Sequence, residues 1–200
     1  MVEVCTKREL IPFLDIAYQG FGDGIDADAA AVRLFAQTDA DFFIASSFSK
    51  SFSLYGERVG ALTTVTANRD ESTRVLSQIK RVIRTNYSNP PTHGGSVVAT
   101  VLNTPELRAR WEDELAGMRE RIRGMRIGLV QHLKAHGVNR DFSFMLRQRG
   151  MFSYSGLTAE QVERLRVDHG IYAIGTGRIC IAALNESNLD AVAAGIAAVL

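Results

Sequence analysis

The sequence predicts an α/β fold, and three observations predict it. Short apolar runs alternate with segments of helical periodicity up to about residue 104, one unbroken helical pattern follows to about 136, and short mixed elements fill the rest. Strands alternating with helices mark a sheet covered by helices. Residues 1–104 are therefore expected to form part of a larger sheet domain, 105–136 a linking helix and 137–200 a small α+β domain. With 46% hydrophobic residues, 200 residues can bury a real core.

Each element has its own reason. Met1 to Leu10 is too short and too mixed to be expected as an independent element and reads as the tail of a helix. Ile11-Pro12-Phe13-Leu14-Asp15 is an apolar run ending in a carboxylate, the pattern of a buried parallel strand. Asp26 to Thr38 is Ala-rich, with Ala30, Leu34 and Phe35 apolar, and suits one helix. Phe42 to Ser46 reads as a second buried strand and Val59 to Val65 as a third. Between Asp70 and Arg84, the residues Val75, Leu76, Ile79, Val82 and Ile83 recur at helical spacing. Asn89-Pro90-Pro91 then breaks the chain, and His93 to Leu102 is expected as a short buried helix. Thr104-Pro105-Glu106 has a capping residue followed by proline at the first helical position. It opens the run Leu107, Trp111, Leu115, Met118, Ile122, Met125, Leu129, Leu133, about thirty residues or roughly 45 Å long, which Gly137 ends. Beyond Gly150–Tyr154 come a helix from Thr158 to His169, strands near Ile171–Ile174 and Arg178–Ala182, and a final helix from Asn188.

Composition excludes several function classes. Lys plus Arg number 23 against 22 Asp plus Glu, a balance that recruits neither nucleic acid nor an acidic membrane surface. The cluster Arg119, Arg121, Arg123 and Arg126 falls in the long helix and is expected to be a solvated face. Cys5 and Cys180 lack metal-ligand spacing and read as reduced thiols of a cytoplasmic protein. No apolar run is long enough to span a bilayer, and the first residues lack a secretory core. His93, His132, His136 and His169 are assigned no chemistry and no metal is expected.

Chemistry concentrates between Ala45 and Gly60. This segment follows a strand, and open α/β sheets bind ligands at strand carboxyl ends. Ser47, Ser49 and Ser51 supply hydroxyls, Arg58 a guanidinium and Lys50 an amine, within twelve residues. Hydroxyls and a guanidinium are the donors a phosphate monoester needs, and a lysine can form an imine with an aldehyde. On composition alone, a Ser-rich surface loop with an ordinary lysine explains the same residues.

The string Ser47-Phe48-Ser49-Lys50 followed by Leu54-Tyr55-Gly56-Glu57-Arg58-Val59-Gly60 resembles the cofactor-lysine motif of the class I aminotransferases, which use pyridoxal 5'-phosphate. The resemblance covers essentially the whole chain and implies the C-terminal part of the fold-type I pyridoxal-phosphate-dependent transferase fold. It implies that Lys50 is the Schiff-base lysine and that Ser47, Ser49 and Arg58 bind the cofactor phosphate. In Phe13-Leu14-Asp15-Ile16-Ala17-Tyr18, it assigns Asp15 to the protonated pyridine nitrogen and Tyr18 to the ring oxygen. In Gly175-Thr176-Gly177-Arg178-Ile179-Cys180, it assigns Arg178 to the substrate α-carboxylate, although Thr176 and Ala183 stand where relatives often have serine and glycine. In Arg84-Thr85-Asn86-Tyr87-Ser88-Asn89-Pro90-Pro91, Arg84 would meet a dicarboxylate side chain and Ser88 the neighbouring subunit's cofactor phosphate. Phe152 would line the substrate pocket.

The implied reaction moves an amino group from an aromatic amino acid to a 2-oxo acid such as 2-oxoglutarate, in a homodimer. Aspartate transamination, another reaction on the same fold, and a non-catalytic truncated fragment stay open. The family's chain is longer on its N-terminal side. That portion carries the residue stacking on the cofactor ring and part of the phosphate turn, so this chain alone is expected to be weak or inactive.

Overall fold

Two apolar runs pair to start the first unit. In the computed structural model, which describes residues 1–200, Phe13–Ile16 (β1) lies parallel to Phe42–Ser47 (β2), with Leu14 opposite Ile44 and Asp15 opposite Ala45. Gly60–Val65 (β3) joins the other side of β2 and runs antiparallel, with Ser47 opposite Gly60. Because side chains alternate along a strand, Phe42 and Ile44 share one face of β2. They form a core with Phe35, and Val2, Cys5, Leu14, Ile16, Val32 and Val65 pack around them. Val2 and Cys5 come from a short helix, Val2–Lys7 (α1), so the opening residues do form an element.

Other expectations for this unit are corrected. The single helix over Asp26–Thr38 is two, Ile25–Asp28 (α2) and Ala30–Phe35 (α3), parted at Ala29. At the break the Ala29 amide donates to the Asp26 carbonyl, three residues back, in place of the four-residue α-helical bond. Of the three strands expected to be buried, only β2 has buried residues; β1 has none, with Phe13 62% exposed, and four of the six β3 residues are exposed. Arg69–Asn86 (α4) is capped by Asn68, whose Oδ1 accepts the Glu71 amide at 2.9 Å, yet it buries no residue. Its apolar side and the outer sheet face, including Phe43, Leu62, Leu76, Ile79 and Val82, line an open groove of about 1210 Å³. In His93–Asn103 (α5) only Gly94 and Val98 are buried. Periodicity reports which side of a helix is apolar, not what covers it.

The long helix Pro105–Ala135 (α6) forms as expected from its repeat. The chain divides within it. One compact unit comprises Met1–Gly20 with Gly24–Leu115, and the other Phe21–Asp23 with Ala116–Leu200.

The second unit pairs Phe152–Tyr154 (β4) antiparallel with Arg178–Cys180 (β5). Ala159–His169 (α7) starts at a capping box in which Thr158 Oγ1 accepts the Gln161 amide and Gln161 Oε1 accepts the Thr158 amide. Gly170, at φ 64°, ends it in the left-handed conformation that glycine reaches without a Cβ penalty. Leu189–Val199 (α8) packs against α7. Leu129, Leu133, Leu165, Ile181 and Ile196 are buried here.

Three expectations fail in this unit. Ile171–Ile174 is irregular, not a strand, and β5 stops at Cys180 where a 3-10 turn, Ile181–Ala183, begins. The arginine cluster is not a solvated face throughout. Arg126 is 4% exposed and donates to Ser153 Oγ at 3.1 Å and to the Gly150 carbonyl. Arg121 donates to the carbonyls of Ala182 and Leu184 at 2.7 and 2.8 Å, tying α6 to the turn after β5. No helix is long and apolar enough to cross a membrane, and Cys5 and Cys180 are both free.

Candidate active site

Since β1 and β2 are parallel, their carboxyl ends open at the same edge of the sheet. Asp15 lies near the end of β1, and Ser47 is the last residue of β2. The chain then turns tightly. Ser49 donates its amide to Ser47 Oγ at 3.2 Å, the Phe48 amide donates to the Val59 carbonyl, and the Ser53 amide donates back to the Lys50 carbonyl. The turn leaves Ser49 buried and Lys50 half-buried. The Lys50 Nζ lies 4.9 Å from the centroid of the Tyr18 ring, within cation–π range.

A short 3-10 turn, Tyr55–Glu57, brings the chain back toward the sheet and ends on Arg58 at φ 52°, ψ 50°. A non-glycine residue in this left-handed region carries strain of about 1–3 kcal/mol. Its guanidinium donates to the Tyr55 carbonyl at 3.0 Å. Next to it, Gly60 must lack a side chain, because a Cβ there would come within 2.7 Å of the Ser46 carbonyl oxygen. Asp15, Ser47, Ser49 and Arg58 meet with Ala45, Ser46, Val59 and Gly60 around one pocket of about 230 Å³. Four of the residues selected from sequence thus share one cavity, with Lys50 the next residue after Ser49.

The residues that hold this turn were not legible as site residues. Trp111 of α6 donates its indole N–H to the Ser51 carbonyl at 2.7 Å. Its ring stacks on Phe52 at 4.5 Å between centroids, and Phe52 meets Phe48 edge-on at 5.5 Å. An aromatic pair of this kind contributes about 0.5–1.5 kcal/mol beyond its buried area. The one signal in the sequence was the tryptophan itself, an apolar helix position with a polar N–H that needs a partner. Gly94 approaches the same loop, where an added Cβ would stand 2.9 Å from Glu57 Cβ.

Arg84 and Ser88 stand apart from that pocket's lining. Both are exposed at the end of α4, and the Arg84 guanidinium donates to Ser88 Oγ. Arg178 and Phe152 belong to the second unit. A turn closed by the Gly177 amide donating to the Ile174 carbonyl at 2.8 Å delivers Arg178 to the start of β5. Gly177 has φ 81°, and a Cβ on it would lie 2.7 Å from the Leu157 carbonyl oxygen. Its own carbonyl accepts the amide and the hydroxyl of buried Ser155 at 2.9 and 2.6 Å. The Arg178 guanidinium sits over the Phe152 ring, 4.9 Å from its centroid, and remains exposed. A planar cation backed by an aromatic ring and open in front can grip a carboxylate with two parallel hydrogen bonds.

A phosphate-type donor set, an amine and a carboxylate at the carboxyl edge of a parallel strand pair define a class of protein as well as a site. Residues 1–196 match the family model for aminotransferase class I and II, and the chain belongs to that family. It is 69% identical over 200 residues to an aspartate aminotransferase of Pseudomonas aeruginosa, and 50% identical over 200 residues to an aromatic-amino-acid aminotransferase of Escherichia coli. Each alignment covers 100% of this chain and 50% of the relative, so the chain spans about half the length of the curated relatives it matches. Among solved structures, it is similar to the aromatic-amino-acid aminotransferase of Burkholderia pseudomallei covalently bound to pyridoxal phosphate. That match has a TM-score of 0.97 and 70% identity, and it covers 100% of this chain and 50% of the other.

Proposed function

We propose that this chain is the lysine-bearing half of a pyridoxal-phosphate-dependent transaminase. The observation that carries the reading is the meeting of Asp15, Ser47, Ser49 and Arg58 in one pocket, with Lys50 the residue that follows Ser49. The donor set fits the cofactor. Ser47, Ser49 and Arg58 suit the phosphate, Lys50 the aldehyde carbon, Asp15 the ring nitrogen and Tyr18 the ring oxygen. Bound there, pyridoxal phosphate would supply an electron sink for the pair left when a substrate Cα–H bond breaks.

The chain's own residues do the rest. Lys50 Nζ is the general base that takes the proton from the substrate Cα, and Asp15 keeps a positive charge fixed at the ring nitrogen. Arg178 holds the α-carboxylate and so orients the Cα–H bond, while Phe152 lines the substrate pocket beneath it. Ser88 reaches the phosphate of a second subunit in a homodimer.

The substrates in this reading are an aromatic amino acid and a 2-oxo acid such as 2-oxoglutarate. The 69% identity to a protein named aspartate aminotransferase favours aspartate as the second reading. Treating the 200-residue chain with pyridoxal phosphate, reducing with borohydride and mapping the label by mass spectrometry tests the anchor. Label concentrated on Lys50, over Lys7, Lys80 and Lys134, is expected; label spread evenly over the lysines would refute it.

Arg84 decides between the substrates. In a full-length enzyme carrying this half, Arg84→Leu is expected to lower kcat/KM for aspartate and glutamate far more than for phenylalanine and tyrosine, because only dicarboxylates need a second cation. Equal losses in steady-state assays with both classes would remove Arg84 from the substrate site.

A further inference from the structure

His132 lies in the last turn of α6 and His136 directly follows its final residue, its amide still donating to the His132 carbonyl at 2.9 Å, so the two side chains sit one turn apart on the same side. Asp190, in the first turn of α8, faces them. Its Oδ1 lies 3.0 Å from His132 Nδ1 and 2.9 Å from His136 Nε2, and the three ligand atoms all fall within 4.8 Å of one another. Both imidazoles thus converge on one carboxylate oxygen. The side chains retain 40%, 32% and 68% of their exposure, which leaves an entry path and room for water on the outer side.

We propose that His132, His136 and Asp190 form a surface site for one divalent transition cation of the zinc type, bridging α6 and α8. Two neutral imidazoles and a carboxylate are ligands that zinc, copper and nickel accept, whereas magnesium and calcium favour all-oxygen shells. Zinc ligands lie about 2.0–2.2 Å from the metal, so tetrahedral neighbours stand roughly 3.3 Å apart. The two nitrogen–oxygen separations need to open by only a few tenths of an ångström to reach that spacing. Binding exchanges the two ring N–H donors that now face Asp190 for two nitrogen lone pairs, each proton moving to the other nitrogen of its own ring. Solvent completes the shell. The spacing was present in the sequence, but only the fold supplies the third ligand, 54 residues beyond His136.

The test titrates zinc chloride, in competition with a chromogenic chelator, into the 200-residue chain carrying Cys5→Ser and Cys180→Ser and free of pyridoxal phosphate. One equivalent of Zn²⁺ is expected to bind and to raise the thermal unfolding temperature, with Mg²⁺ doing neither. Loss of a supporting partner outside a metal's own ligands already lowers affinity about 10–100-fold. His136→Asn and Asp190→Asn should each therefore weaken binding at least about tenfold and abolish the thermal shift. Asp190→Asn is isosteric and exposed, so far-UV circular dichroism should match the parent and separate ligand loss from misfolding. Unchanged zinc affinity in both variants would overturn the site, as would no saturable binding by the parent.

Discussion

Replacing Lys50 by alanine, in a full-length enzyme carrying these residues, is expected to remove transamination of every amino-acid substrate. The side chain has two roles in the proposed chemistry, as the covalent anchor and as the base at Cα, and the neighbouring serines can take neither. Loss of a positioned base alone costs about 100- to 10,000-fold in rate, and loss of the anchor adds to that. The Trp111–Ser51 clamp does not involve the Lys50 side chain and leaves the turn itself intact when the amine is removed. Folding and phosphate binding should therefore survive while turnover and the borohydride-trapped label vanish together. Residual turnover within tenfold of the parent, measured as 2-oxo-acid production, would show that another base does the work.

Arg178→Leu is the second large effect. All amino-acid substrates share the α-carboxylate, so aromatic and acidic substrates should suffer alike, in contrast to Arg84→Leu. Removing one partner of a desolvated charge pair costs about 2–5 kcal/mol, or roughly 30- to 5000-fold in kcat/KM. Phe152 supports the guanidinium through its ring face, so Arg178→Lys should recover little. A lysine keeps the charge but lacks the planar fork that matches a carboxylate. Steady-state kinetics showing unchanged kcat/KM for both tyrosine and aspartate would make Arg178 a structural residue of the β4–β5 pair.

What the sequence disclosed follows from the range of the forces involved. The helix from Thr158 to His169, the long helix α6 and the strand carrying Phe42 and Ile44 are written in local pattern, and all three formed. The Asp15–Arg58 cluster was legible because its members fall within short strings, and the parallel pairing of β1 and β2 brings those strings together. Features set by distant residues were not. The burial of Arg126 depends on Ser153 and Gly150, the clamp on the Lys50 turn depends on Trp111, sixty residues away from Ser51, and β3 gave no hint that its outer face would stay open. Ile171–Ile174 misled for the opposite reason. Its residues favour a strand, but the Ile174–Gly177 turn uses the backbone groups that a ladder would need.

The left-handed backbone at Arg58 sets stability against chemistry at a single residue. Glycine, or asparagine, would occupy φ 52° with less strain, so a library of variants sorted only for heat resistance should drift toward glycine at this position. The same drift would discard the sole cation lining the Asp15–Ser49 pocket. Thermostability engineering of this protein therefore has a built-in blind spot: the substitution that a folding criterion rewards is the one that strips the proposed phosphate pocket of its cation. Any consensus or stability-guided redesign must hold Arg58 fixed and seek its gains elsewhere.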